Sequence, residues 1–449
     1  MGVLWPLREV LWGGLENGMP KVTFIGGGSA KFVAGLVRDL FSFEELRDSA
    51  ICLMDINEER LARSERLVRK MIADLKIPAT VSSTTNQRQA IEGANYLIIT
   101  IMVGGFKHYE SDGAIPVKYG VLPTVGDTIG PGAVFRLIRT APVVQEVVRN
   151  IQATAPKAWV FNYTNPMAMI TWTFLSSGHE RTVGLCHSIQ GSYHQIAGFL
   201  GIPGSEVQYA AGGINHIDFY LTLTHKGQDL YPRLLAKKDE ILAKHPDLRV
   251  KFELLEGLGA WPAEGQHHQT EYYPWFRKTR EMGEEYYATE TMWGYHFDKR
   301  INGELDQIVE DQIAGRKPMD YRRSHEYGAW MIHSIETDTP RLVYGNVRNR
   351  GLIANLPRQA VVEVPCHVDA NGVTPCRVGA IPLPLAAVMT PHILCHEMAI
   401  QGFLRKDRRL ILQAIQADPM TGMALTLPKI KEMVDELFEA NKDYMKDWR

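Results

Sequence analysis

Two dipeptides pair residues able to hold a metal ion, Cys186-His187 and Asn215-His216. One thiolate and one imidazole suit Mn²⁺, Fe²⁺, Co²⁺ or Zn²⁺, and two protein donors leave coordination positions open for substrate oxygens. Each residue alone is also what a small core cysteine or a locally bonded histidine would supply. Near them in the chain stands Asn162-Tyr163-Thr164-Asn165-Pro166. Pro166 disfavours helix at Asn165, which places that amide at a strand end or in a turn. The glycine-rich stretch 120–132 contributes Asp127, and 267–275 adds His268, Tyr272, Tyr273 and Trp275. These are acid–base groups and aromatic faces of the kind that handle a polyol, although a proline-flanked Tyr273 and Trp275 also suit a core.

Something must hold these residues at one rim. Lys21–Ile25 is a short β-rich run leading into Gly26-Gly27-Gly28-Ser29. Glycines there let the backbone turn tightly against a pyrophosphate, and the following helix offers its N-terminal amides to the negative charge. Asp55 ends the second expected strand, where a carboxylate can accept hydrogen bonds from a ribose diol. It would repel a 2′-phosphate, so NAD is favoured over NADP. Lys31 stands where the usual third glycine would be. In open α/β sheets the carboxyl ends of the strands line the ligand crevice. Asn162–Pro166 and Cys186 both follow expected strands, and so fall on that rim.

Strands are expected at 79–84, 96–102, 159–162 and 183–185, with helices at 30–46, 58–75 and 133–153. Alternation of this kind predicts a Rossmann-type doubly wound parallel sheet, of lactate/malate dehydrogenase-like architecture, over residues 19–200. Beyond about 201 the texture changes to an α+β substrate, metal and oligomerisation domain, 201–449. Antiparallel strands are expected at 207–212 and 219–224, a mainly helical stretch at 230–254, and an irregular loop at 257–275. Further strands are expected at 359–368 and 377–381, and a mostly helical stretch at 386–415 with Pro391 as a break or start. Residues 1–18, ahead of Met19, read as an N-terminal extension. No linker separates the halves, which predicts close packing around a shared cleft.

The bulk numbers agree with a small-molecule enzyme. A chain of 449 residues exceeds one ordinary core. The formal net charge is −2 with no sustained basic run, which argues against nucleic acid and anionic membranes. Five scattered cysteines are not a disulfide framework and point to a reducing cytoplasm. No apolar run approaches the ~20 residues that span a bilayer.

The chain resembles glycoside hydrolase family 4, from Lys21 almost to its C-terminus. The resemblance is carried by GGGSAKF (26–32), LMDI (53–56), DTIGPGAVFRLIRTAP (127–142), NYTNPMAM (162–169), GLCHSIQG (184–191), GINHIDFYL (213–221), YGNVRN (344–349) and VDANG (368–372). The tetrad Cys186-His187-Ser188-Ile189 is similar to the Cys-His-Ser-Val of the α-galactosidase (melibiase) branch; the α-glucosidase branch usually carries glycine after the histidine. The resemblance implies NAD plus a divalent metal, usually Mn²⁺, with Cys186 and His216 as metal ligands. It also implies hydrolysis by oxidation at C3, elimination across C1–C2, water addition and re-reduction. By position, Asn165 would bind substrate and Tyr272 would be the C2 base, with Asp127 as the acid that tunes it. Tyr273 and His268 are rivals for the base, and His187 would assist the leaving aglycone. A small α-glycoside is the implied substrate and a homodimer or homotetramer the implied assembly. An α-galacturonidase or α-glucosidase is the alternative within the family. A malate-dehydrogenase-like oxidoreductase is the alternative outside it.

Overall fold

The computed structural model describes residues 19–286 and 291–448; the extension expected at 1–18 lies outside them. Six strands, β1 (Lys21–Ile25), β2 (Ala50–Met54), β3 (Thr80–Thr84), β4 (Tyr96–Ile99), β5 (Trp159–Asn162) and β6 (Thr182–Gly184), pair in parallel in the order 3-2-1-4-5-6. That is the order of dinucleotide-binding sheets. The inner strands are apolar along their length because helices cover both faces, so Phe24, Leu97, Ile98, Val160 and Phe161 are all buried. The helix Glu58–Leu75 buries Leu61, Leu67, Val68 and Met71 on one side; Asn57 caps its first turn and Lys76 ends it in the left-handed conformation.

Past β6 the sheet continues without a break but turns antiparallel. The remaining strands are β7 (Val207–Ile214), β8 (Ile217–His225), β9 (Gln228–Asp229), β10 (Trp261–Pro262), β11 (Arg341–Arg348), β12 (Val361–Asp369) and β13 (Gly372–Pro375). They extend the sheet from β6 through β11, β12, β7 and β8 to β10. Only the pair Asn346↔Gly184 joins β11 to β6. The two halves therefore share one thirteen-stranded sheet among the described residues.

Four expectations need correction. The stretch 230–254 is broken into Tyr231–Ala236, Lys238–Lys244 and Arg249–Leu258, with Pro246 opening a short 3-10 turn between the last two. The loop expected at 257–275 contains β10 and the helix Gln266–Tyr272. Residues 377–381 form no strand; they lie against 352–355 through one bridge, Ile353↔Gly379, and through hydrogen bonds such as Val378 N–H to the Leu352 carbonyl at 2.9 Å and Ile381 N–H to Asn355 Oδ1 at 3.0 Å. The helix Leu383–Arg405 runs straight through Pro391. Its buried Leu385, Met389, Ile393 and Ile400 outweigh a proline cost of about 3 kcal/mol. That helix has the length and mean hydropathy, 1.2, to cross a bilayer, yet half of it is buried within the protein.

Candidate active site and metal centre

The glycine turn is packed from both sides. Gly26, at φ +97°, donates its N–H to the Met54 carbonyl, and a Cβ on it would lie 2.4 Å from the Thr100 carbonyl oxygen. The Gly28 N–H donates to Asp55 Oδ2 at 2.9 Å, where a Cβ would meet the same oxygen at 2.6 Å. Ser29 is the N-cap of the helix Ala30–Phe41 and its side chain makes no capping bond. The first-turn amides are thus not taken by a side chain, as an anion site at a helix N-terminus requires. A glycine turn free of side chains, beside an acid at the end of β2, fits a dinucleotide. Lys31 is exposed, so it does not crowd the turn.

Hydrogen bonds carry this turn towards the second cluster. Thr100 Oγ1 donates to the Gly26 carbonyl at 3.0 Å, and the next amide, Ile101 N–H, donates to Thr164 Oγ1 at 3.0 Å. Adjacent Asn165 donates through Nδ2 to Asp127 Oδ2 at 3.1 Å. Asp127 is buried, its Oδ1 has no hydrogen-bond partner, and Arg136 Nη1 stands 3.6 Å from Oδ2. Both carboxylate and guanidinium keep bonding capacity to spare.

Cys186 follows β6 and is buried. His216 lies in the two-residue turn between β7 and β8, as two-residue hairpin connections allow. Cys186 Sγ is 3.7 Å from His216 Nδ1 and 3.7 Å from Glu264 Oε2, and His216 Nδ1 is 2.8 Å from Glu264 Oε2. All three donor atoms fall within 4.8 Å of one another. Glu264 went unnoticed in the sequence. It is delivered by β10, whose Trp261 and Pro262 pair with Tyr220 and Phe219 of β8 beside the His216 turn.

The electrostatics suit a cation. Burial pushes the Cys186 thiol well above its usual range, and Glu264 and Glu363 push the same way. Such a thiol keeps its proton unless a positive ion joins it. Burial, with the charge of His268, holds His216 in the neutral form that ligates metals. Burial opposes ionisation of Glu264, yet His216, His268 and the Gly265 amide hold its carboxyl well below the ordinary value. His216 Nε2 is buried and without a partner. Sulfur, imidazole and carboxylate from three separate segments fit a divalent ion.

Tyr272 ends the helix Gln266–Tyr272 with its ring 6.4 Å from that of His216, at 87°. Its hydroxyl is buried without a hydrogen-bond partner. Burial pushes its pKa well above the usual tyrosine value, and the charges of Glu271 and Asp127 add to the rise. His268 stacks on His216 at 4.3 Å. Tyr273 is also buried, against Trp275 at 5.5 Å and 4°. Neighbouring Glu271 anchors the 120–132 loop: its Oε2 accepts the amides of Thr124, Val125 and Gly126 at 2.9, 3.0 and 3.1 Å. Cys186, His216, Tyr272, Asn165 and Asp127 are thus gathered on one rim. His187 is the outlier; its side chain is 75% exposed and turned to Glu326, 3.6 Å away.

Fold and site define an α/β protein of dinucleotide-binding architecture whose crevice carries a thiol–imidazole–carboxylate cluster. The chain belongs to glycosyl hydrolase family 4. The description of family 4 glycosyl hydrolases matches residues 21–202, and that of the family's C-terminal domain matches 211–421. An α-galactosidase of Bacillus subtilis is 34% identical over 96% of this chain and 100% of its own length. An α-galactosidase of Rhizobium meliloti is 32% identical over 95% of this chain and 89% of its own. A 6-phospho-α-glucosidase from gut microorganisms, solved in complex with NAD and Mn²⁺, superposes with a TM-score of 0.81 over 96% of this chain and 100% of that one. At 19% identity that likeness speaks to the fold. The protein is a glycoside hydrolase, and the oxidoreductase alternative falls away.

Proposed function

We propose that the protein is an NAD- and divalent-metal-dependent α-galactosidase. One observation carries the reading: Cys186, His216 and Glu264 converge within 4.8 Å, with the Tyr272 ring set against His216. Identity of 34% to an α-galactosidase over 96% of the chain, and the Cys-His-Ser-Ile tetrad, support galactose as the glycone. The glycine turn Gly26–Ser29 with Asp55 would hold NAD, which would supply a hydride acceptor for C3 of the sugar and a donor for its later reduction. Cys186 and His216, with Glu264, would hold a divalent ion, Mn²⁺ by preference, which would supply Lewis acidity to the sugar.

The chain's own groups do the rest. Asn165 orients the sugar hydroxyls, itself fixed by Asp127. Tyr272 takes the C2 proton, which oxidation at C3 makes acidic, as the aglycone leaves C1. A buried neutral tyrosine becomes a competent base only beside a positive charge, so its place against His216, which would hold the cation, suits the role. Asp127 tunes that acidity from the neighbouring loop. Exposed His187 faces solvent, where a departing aglycone passes and can take a proton. Asp55 accepts the ribose hydroxyls. Residues 19–200 bind the coenzyme and 201–449 complete the site, in a cytoplasmic homodimer or homotetramer that light scattering would size. The test is hydrolysis of nitrophenyl α-galactoside, α-galacturonide and α-glucoside with NAD, Mn²⁺ and thiol reductant omitted in turn. Fastest turnover of the galactoside, lost without NAD or metal, is expected; full activity without both would end the proposal.

A further inference from the structure

Behind the metal cluster lies a buried cation that none of these steps uses. Lys251, on the helix Arg249–Leu258, is 4% exposed. Its Nζ donates to Ser192 Oγ at 3.2 Å and to the Ala263 carbonyl at 3.2 Å. The Nζ also lies 5.6 Å from the centroid of the Trp261 ring, and Trp261 Nε1 donates to the same Ser192 Oγ at 3.4 Å. Ser192 sits in the helix Ser188–Leu200, which opens two residues beyond Cys186. Ala263 immediately precedes Glu264, and its N–H donates to the Asp218 carbonyl on β8 at 2.9 Å. One ammonium therefore fastens the segment behind the thiol to the turn that carries the carboxylate.

Burying an ammonium is costly unless it is paired and hydrogen-bonded. Burial lowers the Lys251 pKa to about 8, opposed by the charges of Glu264, Asp218 and Asp247, so the cation persists at neutral pH. A residue kept at that cost between two donor-bearing segments has a use.

We propose that Lys251, through Ser192 and Trp261, is a positioning residue that holds Glu264 in place as the third donor of the Cys186–His216 centre. This rests on the metal reading above. Charge and geometry oppose each other in its test. Removing a nearby cation should by itself tighten the binding of another cation. Releasing the turn that carries Glu264 should weaken it, as loss of outer support does at metal sites.

The experiment is Mn²⁺ binding to the full-length, NAD-loaded protein, read by electron paramagnetic resonance of the free ion. Lys251→Met is expected to raise the Mn²⁺ Kd about 10–100-fold and Ser192→Ala several-fold, with NAD affinity unchanged. In a Glu264→Gln background, Lys251→Met should add little, because both act through one carboxylate. An unchanged or lower Kd in Lys251→Met, or full additivity with Glu264→Gln, would overturn the proposal, as would a lowered Tm with normal Mn²⁺ affinity. If Lys251→Met does not fold, Ser192→Ala, which keeps the charge, decides the matter, and a normal Kd there is equally fatal. Failure of the wild-type protein to bind Mn²⁺ would instead remove the metal reading itself.

Discussion

At the scale of single residues, the proposed metal centre stands on a thiol and an imidazole that local sequence pattern sets at element ends. Cys186 follows a run of apolar residues and His216 fills a two-residue turn, so both positions are readable from local pattern. Cys186→Ser is expected to abolish Mn²⁺-dependent turnover while NAD still binds, checked by activity and by coenzyme titration. Tyr272→Phe should lower kcat about 10²–10⁴-fold, the range of a lost general base, with little change in NAD affinity. If Tyr273→Phe has that effect instead, the base has been assigned to the wrong neighbour. Glu264 was invisible for a physical reason. It follows a strand only two residues long, and so short a run has no periodicity to read. The exposure of His187 was equally hidden, since both neighbours, Cys186 and Ser188, are buried.

At the scale of elements, short helices and the loops they tether decide the shape of the crevice. Helix 266–272 carries both Tyr272 and the carboxylate that collects three amides of the 124–126 loop. Seven residues between a glycine and a proline-flanked pair are too few for a helical pattern to show. Glu271→Gln should cost about 2–3 kcal/mol, because charge-assisted bonds to buried amides are replaced by neutral ones; denaturant unfolding would measure it. Deeper in, Asp418 caps the helix Pro419–Ala424 through Oδ2, while its Oδ1 is buried without a partner. Burial raises its carboxyl to about 6, against the pull of Thr421. An acid whose folded pKa is raised costs stability once it ionises. The cost is full above pH 6 and vanishes as pH falls towards its unfolded value of 3.8. Asp418→Asn is therefore expected to stabilise the protein at pH 8 by about 1–3 kcal/mol and to gain nothing near pH 4, measured by Tm across that range.

At the scale of the whole molecule, the parallel half was legible because strands and helices alternate with clear signals, and its order 3-2-1-4-5-6 is that of dinucleotide-binding sheets. The antiparallel half was not. Its junction is one residue pair, Asn346↔Gly184, between segments far apart in sequence, and β11 lies next to β12 in sequence but joins β7 only through it. Long-range pairing of this kind leaves no local trace. Arg139 also ties the C-terminal end to the parallel half: it pairs with Asp112 at 2.8 and 2.5 Å and donates to Asn441 Oδ1 at 2.8 Å. Arg139→Met should destabilise by about 3–5 kcal/mol, since Asp112 would be left buried and unpaired.

The central claim is that coenzyme turn and metal centre act on one sugar, so that hydrolysis passes through loss of the C2 proton. Its most direct test is hydrolysis of an α-galactoside in D₂O with NAD and Mn²⁺, followed by NMR of the released sugar. Deuterium at C2 of the product is the expected result. Rapid hydrolysis that leaves the original C2 proton in place would contradict it.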